Sequence, residues 1–206
     1  MRYKGKQKAM KRFVTLLLAM VFVVSARAEG EQMLLRRVAA YVKALESYDA
    51  EVDVTAGEYK ASGSYSVAGD SYHIKVGDAE VYADGKTRYE VDHSRKEVSI
   101  DVVDLESQNI LDNPTRCFDF VGEEYIAELV KDANGQTTIK LLALDEQTEG
   151  EILLTLESAT GKPLSIAYIL YDDRVDVKIK SLTPRKTKLP TFSKGDYKGY
   201  DMVDFR

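Results

Sequence analysis

The sequence predicts a mainly β domain of α+β class: a large, curved antiparallel sheet forming an incomplete β-barrel, covered by an N-terminal helix and short central helices. Three observations predict it. Only Glu31 to Glu46 repeats its apolar residues at helical spacing over any length. From Ser47 onward the dominant period is two. The turns between the runs are so short that consecutive strands must be antiparallel neighbours.

The first 28 residues stand apart from that domain. Arg2, Lys4, Lys6, Lys8, Lys11 and Arg12 precede an apolar run of 12 residues, Phe13 to Val24, and then Ala26-Arg27-Ala28. A cationic start, a short apolar stretch and small residues in an A-x-A arrangement predict a secretory signal cleaved after Ala28. A transmembrane helix needs about 20 apolar residues. Glu29, not Cys, follows the predicted cut, so the expected product is a free periplasmic domain over 29–206 with no lipid anchor. Seven of the 29 basic residues and none of the 34 acidic ones lie in 1–28, which leaves 22 against 34 and a net charge of −12. That excess disfavours nucleic acid and standing attraction to anionic membranes. With one cysteine, Cys117, the chain forms no internal disulfide, and the residue is expected to be a small buried hydrophobe.

In the first helix Leu34, Leu35, Val38, Ala39, Tyr41, Val42 and Leu45 form one stripe. Val52 and Val54 then alternate with acids, Tyr65 and Val67 with serines, and Tyr72, Ile74 and Val76 with His73 and Lys75. Turn residues at Ala68-Gly69-Asp70, Gly77-Asp78, Asp84-Gly85-Lys86 and His93 to Lys96 separate further strands near Glu80–Ala83, Thr87–Val91 and Glu97–Val102. Between Asp104 and Phe120 the pattern breaks, and Asn113-Pro114 predicts a capped short helix through Phe118. Strands resume at Tyr125–Val130, Thr137–Leu142, Glu151–Leu156, Leu164–Tyr171 and Arg174–Ile179, with an Asn134-Gly135 hairpin turn between the first two. About ten strands with one long helix leave a hollow that the helices do not fill. No repeat or linker divides 29–206, so one domain is expected, and a monomer.

Chemistry is sparse. The two histidines, His73 and His93, are expected to be surface residues, and no nucleophile with a base, no phosphate loop and no metal-ligand spacing occurs. Asp145-Glu146 and Asp172-Asp173 lack the ligand set of a calcium loop. No enzyme activity, metal or cofactor is expected. Thirteen tyrosines and six phenylalanines without tryptophan are more informative. Tyr65, Tyr72 and Tyr89 alternate in phase with Val67, Ile74 and Val91, as core residues or as the wall of a pocket.

The stretch Asp84-Gly85-Lys86-Thr87-Arg88-Tyr89-Glu90-Val91, then Lys96-Glu97-Val98-Ser99-Ile100, then Asn113-Pro114, resembles the periplasmic outer-membrane lipoprotein carrier family (LolA-like), particularly its Bacteroidetes branch. Leu189-Pro190-Thr191-Phe192 and Gly199 to Arg206 are similar to that family's closing segments. The resemblance implies a carrier whose apolar cavity shelters the acyl chains of lipoproteins between the inner and outer membranes. Its implied partners are acylated lipoproteins, an inner-membrane ABC-type exporter and an outer-membrane acceptor. On the family's pattern Tyr72 and Ile74 face the cavity, and Tyr89, Val91, Val98 and Ile100 match its apolar positions. With Leu34, Val38, Tyr65, Val67, Val76 and Phe118 these make up the expected acyl-chain site. Proteobacterial members carry an Arg-Pro latch before the aromatic; Gly69-Asp70-Ser71 stands there instead. An alternative on the same fold is a periplasmic regulator that senses lipid or peptide.

Overall fold

The computed structural model describes residues 30–105, 125–144 and 150–206. The expected export signal and the central helices, with Asn113, Cys117 and Phe118, lie outside the described residues. Helix α1 spans 30–43 and sinks Leu35 and Val38 out of solvent, at 1% and 0% exposure. Leu34, Tyr41, Val42 and Leu45 flank them half-buried, so the stripe expected from the 3.6-residue period is the face that packs. The helix ends before Glu46, whose left-handed φ of 57° turns the chain into the first strand.

Six strands follow as a meander: β1 (Ser47–Ala56), β2 (Tyr59–Ala68), β3 (Ser71–Val76), β4 (Ala79–Asp84), β5 (Thr87–Asp92) and β6 (Glu97–Val102). A second meander comprises β7 (Tyr125–Ala133), β8 (Gln136–Ala143), β9 (Glu151–Glu157), β10 (Pro163–Leu170) and β11 (Asp173–Pro184). Antiparallel pairing of β1 with β11 joins the two. A last short strand, β12 (Asp201–Asp204), pairs in parallel with β6. The result is one curved sheet in the order β12-β6-β5-β4-β3-β2-β1-β11-β10-β9-β8-β7, not closed into a barrel. Four residues are too few to show a period, which is why β12 has no strand signal of its own.

Register decides what each face carries, because directly paired residues point the same way. Tyr48, Ala50, Val52 and Val54 of β1 are buried, and pairing sets Val67 and Tyr65 beside Tyr48 and Ala50, then Tyr72 and Ile74 of β3, then Ala83 and Val81 of β4. In the other direction the same face continues through Val177, Ile166, Leu154 and Ile139 to Ala127 of β7. This first face is the large core, and α1 lies against it. Glu31 accepts a hydrogen bond from Leu129 N at 3.1 Å and Arg37 Nη1 donates to Ser158 O at 3.2 Å, which ties the helix to both β7 and the β9–β10 turn. In that turn Gly161, at φ +77°, lies so near the Arg37 backbone that a Cβ would sit 2.9 Å from it.

Gly63 is the tight point of the N-terminal meander. A Cβ there would lie 2.3 Å from Lys75 O and 2.5 Å from Val76 Cγ2, so β2 and β3 close on each other only over a residue without a side chain. Gly63→Ala should therefore destabilise the fold by about 1–3 kcal/mol, measured by urea denaturation. Unchanged stability would mean that the two strands part there at no cost.

Candidate functional site

The structure divides the expected acyl-chain residues between the two faces of the sheet. Leu34 and Val38 on α1, with Tyr65, Val67, Tyr72, Ile74 and Val76 on β2 and β3, meet on the first face. Tyr72, at 1% exposure, is the largest fully buried side chain there. Tyr89, Val91, Val98 and Ile100 belong to the opposite face, and Phe118 lies outside the described residues. The switch occurs at β4, which buries residues on both sides: Val81 and Ala83 towards α1, Glu80 the other way. Pairing Tyr82 with Tyr89 then carries the second face into β5, and Tyr89 with Ile100 carries it into β6. On the helix side, β5 and β6 present Arg88, Glu90, Ser99 and Asp101, with Arg88 and Glu90 joined by a 3.0 Å ion pair.

The first face is thus a broad apolar floor that ends in a polar rim. Thr137 is its buried polar residue among those described, and its hydroxyl is taken up by Ser158 at 2.7 Å and Asp132 at 3.1 Å. What such a surface offers chemically is shelter from water.

The second face is covered by the chain's own C-terminus. After β11 the segment 185–200 crosses β1 to β6 and ends as β12 on the β6 edge. Phe192 stacks on Tyr89 with centroids 4.2 Å apart and planes 8° from parallel, and on Tyr197 at 5.4 Å and 4°. Tyr197, Tyr200 and Met202 cover Val91 and Val98, both at 0% exposure.

Under this strap the two histidines meet. Glu80 is 8% exposed, and its carboxylate takes His73 Nε2 at 2.9 Å and His93 Nε2 at 3.0 Å on different oxygens. The Tyr82 hydroxyl donates to it at 2.9 Å, and Tyr197 shares its one proton between Tyr82 at 2.9 Å and Glu80 at 3.3 Å. His93 Nδ1 lies 3.0 Å from the Tyr200 hydroxyl, which fits an imidazole that donates from Nε2 and accepts at Nδ1. The surface placement expected for His73 and His93 is therefore corrected. Their signal was visible only in register, since His73 pairs directly with Tyr82 and lies diagonal to Glu80.

Burial alone would push the Glu80 carboxyl up, but hydrogen bonds from His73, Tyr82 and His93 outweigh it and hold the group at about 2. Burial, with the hydrogen bonds to Tyr197 and Glu80, pushes the Tyr82 phenol well above its ordinary value. No group of three metal-ligating side chains assembles among the described residues.

A family model described as outer membrane lipoprotein carrier protein LolA matches residues 21–169. The chain belongs to the LolA family. Its fold is similar to that of an uncharacterised conserved protein from Thermus thermophilus, at 14% identity and a TM-score of 0.50, over 84% of this chain and 98% of that one. LprF from Mycobacterium bovis aligns at 13% identity and a TM-score of 0.47, over 80% of this chain and 98% of that one. A DUF1329 family protein from Desulfovibrio piger aligns at 10% identity and 0.46, over 84% and 98%. No curated protein matches the sequence. The LolA match stops before β11, so the strap lies outside it.

The Glu80 cluster has a pH signature. Its folded value of about 2 lies below the ordinary 4.5, so the stability it supplies is present above pH 4.5 and drains away as pH falls towards 2. Thermal unfolding of Glu80→Gln should show a lower Tm at neutral pH and a flatter decline between pH 4.5 and 2 than the parent. Parallel acid limbs for the two proteins would remove Glu80 from that role.

Proposed function

We propose that this protein is a periplasmic carrier that shelters the acyl chains of lipoproteins against its helix-covered face during transfer from the inner to the outer membrane. An ABC-type exporter would load it and an outer-membrane acceptor would unload it. The observation that carries this reading is the breadth of the apolar floor beside the single helix that lies on it among the described residues. The first face is apolar across nine strands, from β4 to β7 in sheet order. At about 4.8 Å between strands that is roughly 38 Å of width. One helix over 30–43 is about 10 Å across and about 21 Å long. Leu34, Tyr41, Val42, Tyr65, Val76 and Tyr168 remain half-buried around the closed core.

Physical chemistry asks for such a surface. Each methylene exposed to water costs about 0.8 kcal/mol, so a sixteen-carbon chain stripped from a bilayer faces roughly 12 kcal/mol. A carrier must return most of that without holding the chain too tightly to release it. An apolar face bordered by half-buried side chains, with a polar rim at Arg88 and Glu90, suits moderate affinity. Membership in the LolA family supports the same reading.

Uptake of a dipalmitoylated peptide, followed by native mass spectrometry, tests it directly. The parent should bind one lipopeptide, and Leu34→Glu should weaken binding at least tenfold while leaving the far-ultraviolet circular dichroism unchanged. A parent protein that takes up no lipopeptide, and that leaves its own envelope fraction free of acylated molecules, would end the carrier reading.

A further inference from the structure

The carrier reading uses one face of the sheet, and the other face holds a cleft. Between Arg185 and Phe192 the strap stands off β2 to β5 and roofs a space of about 490 Å³. The space exists because Ala68 and Ser71 on its floor are small, while Tyr82, Tyr89 and Phe192 form a tall aromatic wall. Its volume falls in the range of about 300–1,000 Å³ common for ligand sites.

Both ends of the roof are pinned. At one, Arg185 Nη1 reaches Asp49 and donates to Ser66 Oγ at 3.1 Å, and Arg185 Nη2 donates to Lys188 O at 2.7 Å. At the other, Phe192 stacks on Tyr89 and Tyr197 bonds Glu80. Between these anchors, residues 186–192 make no backbone–backbone hydrogen bond among the described residues. Pro190 has no N–H, but Leu189 and Thr191 on either side of it do. Apart from Lys188 O, this run of backbone above an apolar wall keeps donors and acceptors without a protein partner among the described residues, as an edge strand does.

Residues 187, 188, 190 and 191 are exposed, so water serves their backbone groups in the empty cleft. An extended peptide replaces those waters with backbone hydrogen bonds, which an acyl chain cannot, and fills the aromatic wall with a side chain. Asp84 on the sheet side and Lys188 on the strap side put opposite charges on the rim, which favours a neutral, dipolar occupant over an anion or a cation. We propose that the cleft is a docking site for an extended peptide segment of a partner protein. The segment pairs its backbone with 187–191 and seats one apolar side chain against Tyr89 and Phe192. This site is separate from the acyl-chain face, and each stands or falls by its own measurement.

The test is a titration of the ¹⁵N-labelled protein with a blocked nine-residue peptide that alternates threonine with valine and phenylalanine. Saturable shifts are expected at the amides of Leu189, Thr191 and Tyr89. Ala68→Phe, which fills the floor, should weaken binding at least tenfold and leave lipopeptide uptake unchanged. Ser71→Leu makes the same test from a neighbouring position should Ala68→Phe disturb folding. The proposal is overturned by an absence of saturable shifts, by equal affinity in both filled variants, or by strap shifts that follow decyl maltoside and not the peptide.

Discussion

A direct cross-strand pair shares a face, and that constraint governs nearly everything in this molecule. Eleven pairings pass it from β12 to β7. Once Tyr72 is set towards α1, Ala83 and Arg88 must follow it, and His73, Tyr82, Tyr89 and Ile100 must point away. The apolar side chains do not all obey one face. From β5 onward they sit opposite the helix, and the sheet solves this by laying its own C-terminus over them. Two cores on one sheet result, one roofed by α1 and the other by the strap.

This explains which parts were legible in the sequence. The helix stripe of Leu34, Leu35 and Val38, the meander strands and the Asn134-Gly135 turn rest on local periods and local turn chemistry, and these survive folding unchanged. The relation between Ile74 and Val91 does not. Both occupy the apolar phase of an alternating strand, and only the pairing sums through β4 reveal that they face opposite ways. The histidines failed for a related reason. Each looked like a polar-phase or turn residue, and nothing near either in sequence announces Glu80 as a shared partner beneath Tyr197, more than a hundred residues downstream.

Two faces with different chemistry suit a molecule that must handle more than one kind of surface. The first face is broad, with a single buried polar residue among those described and a half-buried border. The second is narrow, aromatic and wired by hydrogen bonds, with Glu80 taking up four donors at its centre. Apolar packing on the first face is non-directional and sets no single geometry for its partners. A cluster of satisfied buried polar groups does the opposite and fixes one geometry, since any displacement would leave a carboxylate or a hydroxyl unpaired. The family match covers the first kind of surface up to β10 and stops short of both β11 and the strap that completes the second.

The pairing order also sets a sequence of events for the chain as it acquires structure. Strands β1 to β6 can assemble from local hairpins, but that meander has two bare edges, at β1 and at β6. Both are covered by the C-terminal part: β11 adds to β1, and β12 adds to β6. Until the last thirty or so residues arrive, the N-terminal half exposes unpaired backbone on either side, the condition under which strands of neighbouring chains join. The closing contacts span more than a hundred residues, so they form late and slowly compared with the hairpins they protect. A chain cut short before β12 would lose four residues of strand, yet the larger loss would be the seal on β6 against its own copies.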